Sequence, residues 1–136
     1  MNIGAAAKAS GLPIKTVRYY ADIGLVTPRL RSRSGYRVYT ENELSKLVFA
    51  RRARTFGFTI DETRELLSLY EDRRRSSADV KRIAQGRLED IEARMSELQA
   101  LHNQLSHLVS ACHGDDRPDC PIISGFAGEV AGESEP

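Results

Sequence analysis

The residues whose chemistry stands out are the two cysteines of the chain, Cys112 and Cys120. Seven residues separate them, in a segment rich in Gly, Pro and Asp. This segment has an extended reach of about 23–25 Å, so it can fold back and bring the two thiols together. Thiolates are soft ligands that select Cu(I)-like ions, zinc and iron–sulfur clusters. The pair therefore predicts a metal-binding loop or a redox pair.

The number of available ligands discriminates between these metals. An iron–sulfur cluster ordinarily needs four cysteines, and the chain has two. A structural zinc site needs four ligands, and only His113 and the carboxylates of Asp115, Asp116 and Asp119 lie beside the pair. Two thiolates satisfy a monovalent ion, so Cu(I) is the simplest cofactor, with Ag(I) or Au(I) as alternatives. A thiol–disulfide redox switch stays open, because this spacing alone is not a strong signature.

Length and composition restrict the class of protein. A chain of 136 residues allows one compact domain plus an extension. It contains no apolar run of membrane-spanning length and no signal-peptide layout, which predicts a cytoplasmic protein without a membrane partner. In such a reducing compartment two cysteines favour a ligand or redox pair over a structural disulfide. No catalytic constellation is recognisable, so an enzyme is not expected.

The N-terminal residues predict a helix-turn-helix at about 3–22. A helix over 3–9 is broken at Ser10-Gly11, and Pro13 suits the first turn of a second helix. The second helix has two faces. Its predicted packing face comprises Ile14, Val17 and Ala21, its predicted exposed face Lys15, Arg18 and Tyr19, and Tyr20 lies between them.

The following segment, 25–39, predicts a basic wing. Alternation over 36–39, after a Ser-Gly turn, is typical of a short strand, and Arg residues interleave with Tyr. Such a hairpin suits phosphate contacts beside a recognition helix. Residues 1–75 hold 15 Lys and Arg against 8 Asp and Glu, whereas residues 76–136 hold 5 against 11. The basic half suits a polyanion such as DNA.

Two capping boxes, at 40–43 and 59–62, each predict the start of a helix. In the first of these helices the residues predicted to face inward are Leu44, Leu47, Val48 and Phe56. From 76 to 111 apolar residues recur at alternating steps of four and three, as in the seam of a coiled coil. Such a helix, about 54 Å long, needs a partner chain, which predicts a homodimer. Residues 112–126 form the metal-binding loop and a short helix, and 127–136 a disordered acidic tail.

Together these motifs resemble the MerR family of metal-responsive regulators. The matching segments are 15–20 (KTVRYY), 24–26 (GLV), 31–32 (RS) and 35–39 (GYRVY). The pattern Cys-x7-Cys-Pro-Ile-Ile at 112–123 resembles the copper-efflux (CueR-like) branch of that family. The resemblance covers residues 1–126. It implies a mainly α fold: a winged helix-turn-helix at 1–70, a long antiparallel coiled-coil dimerisation helix at 76–111, and a C-terminal metal-binding loop.

The resemblance also implies a function. Such a homodimer binds promoter DNA, represses without metal, and with metal distorts the DNA so that RNA polymerase engages it and copper-efflux genes are activated. Carried over by position, Cys112 and Cys120 are the Cu(I) ligands, and Ser77 and His113 lie around the metal loop. The implied DNA contacts are Lys15, Arg18, Tyr19, Tyr20, Arg31, Tyr36 and Arg37. The rival class, a coiled-coil module that binds metal without reading DNA, does not account for the helix-turn-helix face and the wing.

Overall fold

The structure is a computed structural model that describes residues 1–31 and 37–128, with the backbone alone at 30, 31 and 37. In order, its elements are α1 Ile3–Ser10, α2 Ile14–Asp22, β1 Leu30–Arg31, β2 Arg37–Val38, α3 Glu41–Thr55, α4 Ile60–Glu71, α5 Ser77–Ala111 and α6 Pro121–Phe126. The predicted mainly helical class is confirmed, with its helix-turn-helix and long helix. The chain divides into two compact units, Met1–Arg87 and a second that begins at Leu88.

Local sequence signals set the ends of the first helices. Asn2 caps α1, its Oδ1 accepting a hydrogen bond from the amide of Ala5 at 2.9 Å. Gly11 ends α1 in the left-handed region, at φ 77°, and Gly24 follows α2 at φ 73°. Because only glycine adopts this conformation without strain, a glycine follows each of the two helices, and the turn at Ser10-Gly11 lies where the sequence predicts it.

The core of the first unit lies where α1, α2 and α3 meet. Val17 and Tyr20 are its contribution from α2, with 0% and 4% of their surface exposed. The predicted packing face was wrong at Ile14, which is 45% exposed. A face centred between Val17 and Tyr20 leaves Ile14 about a quarter-turn away, at the first residue of the helix.

Both predicted capping boxes are present at the starts of α3 and α4. In the second, the Thr59 amide donates to the Glu62 carboxylate at 2.8 Å and the Glu62 amide to the Thr59 hydroxyl at 3.0 Å. Leu47 faces inward as predicted, fully buried. Phe56 does not: α3 ends one residue earlier, and the ring is 66% exposed.

The long helix α5 has two parts with different surroundings. Near its start Ile83 is buried against Ala53 of α3 and Leu66 of α4, so the first compact unit extends to Arg87. From there on most of the large apolar residues are about half exposed or more: Leu88, Met95, Leu98, Leu101, Leu105 and Val109. Such a stripe on one chain is what a coiled-coil seam presents before its partner is added. In the described part of the chain, no helix is long and apolar enough to cross a membrane.

Candidate metal centre and nucleic-acid interface

The loop between α5 and α6 brings the two cysteines together. Their Sγ atoms lie 3.4 Å apart, and both thiols are free and half-buried. Cys112 directly follows α5, and its amide donates to the Leu108 carbonyl at 3.1 Å. Cys120 is the N-cap of α6, where Pro121 occupies the first turn. The two thiols are therefore fixed to the ends of two helices, so a bond to both would join the end of α5 to the start of α6.

The acidic residues of this loop are exposed, and one of them is already engaged. Arg117 donates to Asp115 from its backbone amide at 3.0 Å and from Nε at 2.9 Å. These hydrogen bonds, with the side-chain one foremost, hold the pKa of Asp115 below its ordinary value. Gly114 makes the turn that precedes this pair at φ 69°. Asp115 thus stabilises the conformation of the loop by accepting these hydrogen bonds from Arg117.

The surroundings of Cys120 favour its thiolate. The backbone N–H of Ile123 lowers the pKa of Cys120 most, the Cys112 thiol adds to this, and partial burial opposes both. The N–H of Ile122 contributes in the same direction. Because the thiolate is the form of cysteine that binds metals, the first turn of α6 favours the form of Cys120 that a metal would require.

The donor set fits an ion that two thiolates satisfy. Over residues 1–31 and 37–128, no group of three or more His, Cys, Asp or Glu side chains is placed to hold a metal. His113 is exposed and does not join the thiols in such a group. The set therefore suits Cu(I), Ag(I) or Au(I) better than four-coordinate zinc. Ser77 is exposed at the first position of α5, in the other compact unit, and its predicted place around the metal loop stays a prediction.

The predicted DNA-contacting face of α2 is available at three of its four positions. Lys15 and Arg18 are exposed, and Tyr19 is 50% exposed. Tyr20 is a correction: the ring is buried in the core, which gives it a packing role in place of the predicted contact. Its centroid lies 6.1 Å from that of Tyr19, so Tyr20 supports the exposed ring from behind.

The wing is present as an antiparallel pair of short strands. Leu30 pairs with Val38 and Arg31 with Arg37, which confirms the predicted hairpin. Tyr36 lies outside the described residues, as do the side chains of Arg31 and Arg37. Their DNA contacts stay predictions, as does the disorder of the tail, since residues 129–136 also lie outside the described part.

Two arginines that the sequence did not predict donate hydrogen bonds to the ends of the two helices of the helix-turn-helix. Arg51 of α3 donates from Nε to the carbonyl of Ser10, at the end of α1, at 2.8 Å. Arg64 of α4 donates to the carbonyls of Ile23 and Gly24, at the end of α2, at 3.1 Å each. Cations are favourable at helix C-termini, where the last carbonyls lack partners. No local signal marks these residues, since they lie 40 or 41 positions from their acceptors.

Known proteins share this arrangement. The profile of "MerR HTH family regulatory protein" matches residues 1–70, and that of "MerR, DNA binding" matches 44–108. The chain is 54% identical to the HTH-type transcriptional regulator HmrR of Rhizobium leguminosarum bv. viciae, over 90% of this chain and 95% of that protein. It is 48% identical to the regulator CueR of Escherichia coli O6:H1, over 94% and 95% respectively.

A solved structure agrees with both matches. The transcription regulator PbrR691 of Ralstonia metallidurans CH34, in complex with lead(II), is 31% identical and superposes with a TM-score of 0.79, over 93% of this chain and 98% of that one. Two profiles, close relatives and this fold point to one conclusion. The chain belongs to the MerR family of helix-turn-helix regulatory proteins, DNA-binding transcriptional regulators rather than enzymes.

Proposed function

We propose that this chain is a Cu(I)-responsive transcriptional regulator, which binds promoter DNA as a homodimer and activates copper-efflux or resistance genes. One observation carries the choice of metal. Two free thiols lie 3.4 Å apart, and in the described ranges no third ligand completes a larger group. Two soft donors without further ligands suit a monovalent ion such as Cu(I), with Ag(I) and Au(I) as close alternatives.

The relatives support metal response in general and copper in part. HmrR and CueR match over nearly their whole length, and the CueR name belongs to the copper-efflux branch that the sequence resembles. The superposed PbrR691 structure holds lead(II), so the family name alone does not fix the ion. The donor set of this chain has to decide between metals, and it favours the monovalent ones.

The proposed switch uses the positions of the two cysteines at helix ends. Cys112 and Cys120 would hold Cu(I) as its two thiolate ligands, and ligation by both would fix the start of α6 relative to the end of α5. The exposed apolar stripe of α5 supplies the dimer seam. Metal then favours the one of two dimer states that distorts promoter DNA for RNA polymerase, and the same coupling makes DNA affect metal affinity.

The metal assignment is tested by substituting the thiols. Cys112→Ser and Cys120→Ser should each abolish Cu(I)-induced transcription, because one thiolate alone leaves the ion without its second ligand. His113→Ala is the control, and we expect full induction from it. X-ray absorption of the Cu(I)-loaded protein should show two short Cu–S bonds. Retained induction in Cys120→Ser would refute the two-thiolate site, and a nitrogen shell would implicate His113.

The DNA assignment is tested on the exposed face of α2. Arg18→Ala should weaken promoter binding about ten- to a hundredfold if it contacts a base edge, while metal stoichiometry stays unchanged. Lys15→Ala should lower the slope of log affinity against log salt by about 1 if it contacts a phosphate. Lys81→Ala in α5 removes the same charge outside the helix-turn-helix, so its affinity should stay near that of the native protein. Unchanged affinity of Arg18→Ala would remove it from the interface.

A further inference from the structure

The two thiols have a second chemistry open to them. A Sγ–Sγ distance of 3.4 Å closes to a disulfide with a movement of about 1.4 Å, since the bond length is about 2.05 Å. Both residues are half-buried, so an oxidant has access to the sulfurs. The connecting loop contains Gly114 and exposed polar residues, and none of its residues is buried in a core. Small movements there disturb little packing.

We propose that Cys112 and Cys120 form a reversible intramolecular disulfide when a hydroperoxide reaches the metal-free protein, and that this disulfide blocks metal binding. The disulfide itself follows from the geometry of the thiols. The block rests on the proposed function, because it assumes that the same two sulfurs are the metal ligands. Oxidation would thus keep the metal-free regulator from responding to metal.

The reaction proceeds in two balanced steps. One cysteine sulfur attacks the outer oxygen of the hydroperoxide, the O–O bond breaks, and the products are a sulfenic acid and an alcohol, or water when the oxidant is hydrogen peroxide. The second thiol then attacks the sulfenic sulfur. The S–S bond forms, the S–O bond breaks, and the hydroxyl leaves as water with the proton of that thiol. Two thiols are oxidised by two electrons and one hydroperoxide is reduced.

Proximity favours the internal bond over one between chains. Segments joined by a short flexible loop have effective concentrations of about millimolar, which exceeds the micromolar concentration of the protein in an assay. The structure already holds the sulfurs near contact, which reduces the ordering that remains. Metal and hydroperoxide compete for the same two sulfur atoms. A bound ion should therefore protect the thiols from oxidation, and the disulfide should prevent the ion from binding.

The test uses the full-length protein, Ag(I) as a redox-inert probe, and hydrogen peroxide. After treatment, intact mass should fall by two hydrogens without added oxygen, free thiols should disappear, and a non-reducing gel should show no cross-linked dimer. Ag(I) binding should then fall at least tenfold and return with dithiothreitol. Prior loading with Ag(I) should prevent the loss of thiols. Cys112→Ser and Cys120→Ser serve as controls that cannot form the internal bond.

The outcomes separate the two ideas. Thiols that stay free, or products that carry only added oxygen or intermolecular bonds, overturn the disulfide. A disulfide that leaves Ag(I) binding unchanged overturns the two-thiolate site and the block with it, while the oxidation chemistry stands.

Discussion

Gly57, between α3 and α4, is the one of the described glycines at which an added Cβ would meet the closest atoms. Its φ is 86°, in the left-handed region. A Cβ there would lie 2.3 Å from Nη2 and 2.8 Å from Cζ of Arg87. Arg87 Nε donates to the carbonyl of Phe56 at 2.7 Å, so the guanidinium cannot withdraw without losing this hydrogen bond. Gly57→Ala therefore combines backbone strain with the loss of a contact between α5 and the α3–α4 turn.

The size of the effect follows from three contributions. A non-glycine residue in the left-handed region costs about 1–2 kcal/mol. Losing the exposed hydrogen bond of Arg87 costs about 0.5–1 kcal/mol, at the low end for a charged donor because solvent screens it. The smaller freedom of alanine in the unfolded chain returns about 0.4–1 kcal/mol. We therefore expect Gly57→Ala to lower the free energy of unfolding by about 1–2 kcal/mol.

Gly86 provides the matched control. It lies inside α5 with no atom within 4 Å of a Cβ built there, so Gly86→Ala should raise stability by about 0.5–1 kcal/mol. Urea denaturation at one fixed protein concentration measures both, since association affects the midpoint. In an Arg87→Ala background the cost of Gly57→Ala should fall to the strain alone. This reasoning would be refuted if Gly57→Ala lowered the free energy of unfolding equally in both backgrounds. It would also be refuted if Gly57→Ala and Gly86→Ala changed that free energy in the same direction.

Three further substitutions test single contacts. Glu43 is buried, which raises its pKa, but hydrogen bonds from Thr40 outweigh this and hold the pKa below its ordinary value of 4.5. The stabilising contribution of Glu43 should be complete above pH 4.5 and lost as pH falls through its folded pKa. Glu43→Gln should therefore flatten the dependence of the urea midpoint on acid pH. An unchanged profile would count against this role of Glu43. The Thr63 hydroxyl is buried, and none of the described residues forms a hydrogen bond with it. Thr63→Val should therefore leave the thermal midpoint equal or higher, and a clear fall would reveal a missed partner. Arg64→Ala should weaken promoter binding several-fold by loosening the end of α2, and unchanged affinity in a gel-shift titration would show that the helix end holds without it.

Helix starts and turns that depend on local interactions were predicted from local signals in the sequence. The capping box at Thr59 and the turn at Gly11 follow from residues within four positions of each other, and both are present. The meeting of the two thiols was also predictable, because a short loop with turn residues limits how far its ends can separate. The lowering of the Cys120 pKa by N–H groups of α6 was not predictable, since it depends on where that helix begins.

Contacts between distant segments account for what the sequence could not predict. Tyr20 was assigned to DNA by the family resemblance, whereas helical periodicity left it between the two faces of α2. Packing against residues of α1 and α3 places it in the core. Arg87 donates a hydrogen bond to the carbonyl of Phe56, 31 positions away, and no spacing pattern in the sequence predicts such a pair. Phe56 was expected to face inward with Leu44, Leu47 and Val48 on one helix, but α3 ends at Thr55 and the ring is exposed.

The division of α2 into an interior and an exterior set bears on how such regulators diversify. Val17 and Tyr20 hold the helix in the core, whereas Lys15, Arg18 and Tyr19 face outward. Exposed substitutions away from such contacts usually change stability by about 0.5 kcal/mol or less. After a gene duplication, one copy could therefore change its outward residues, and with them its operator preference, while the fold and the cysteine loop are inherited unchanged.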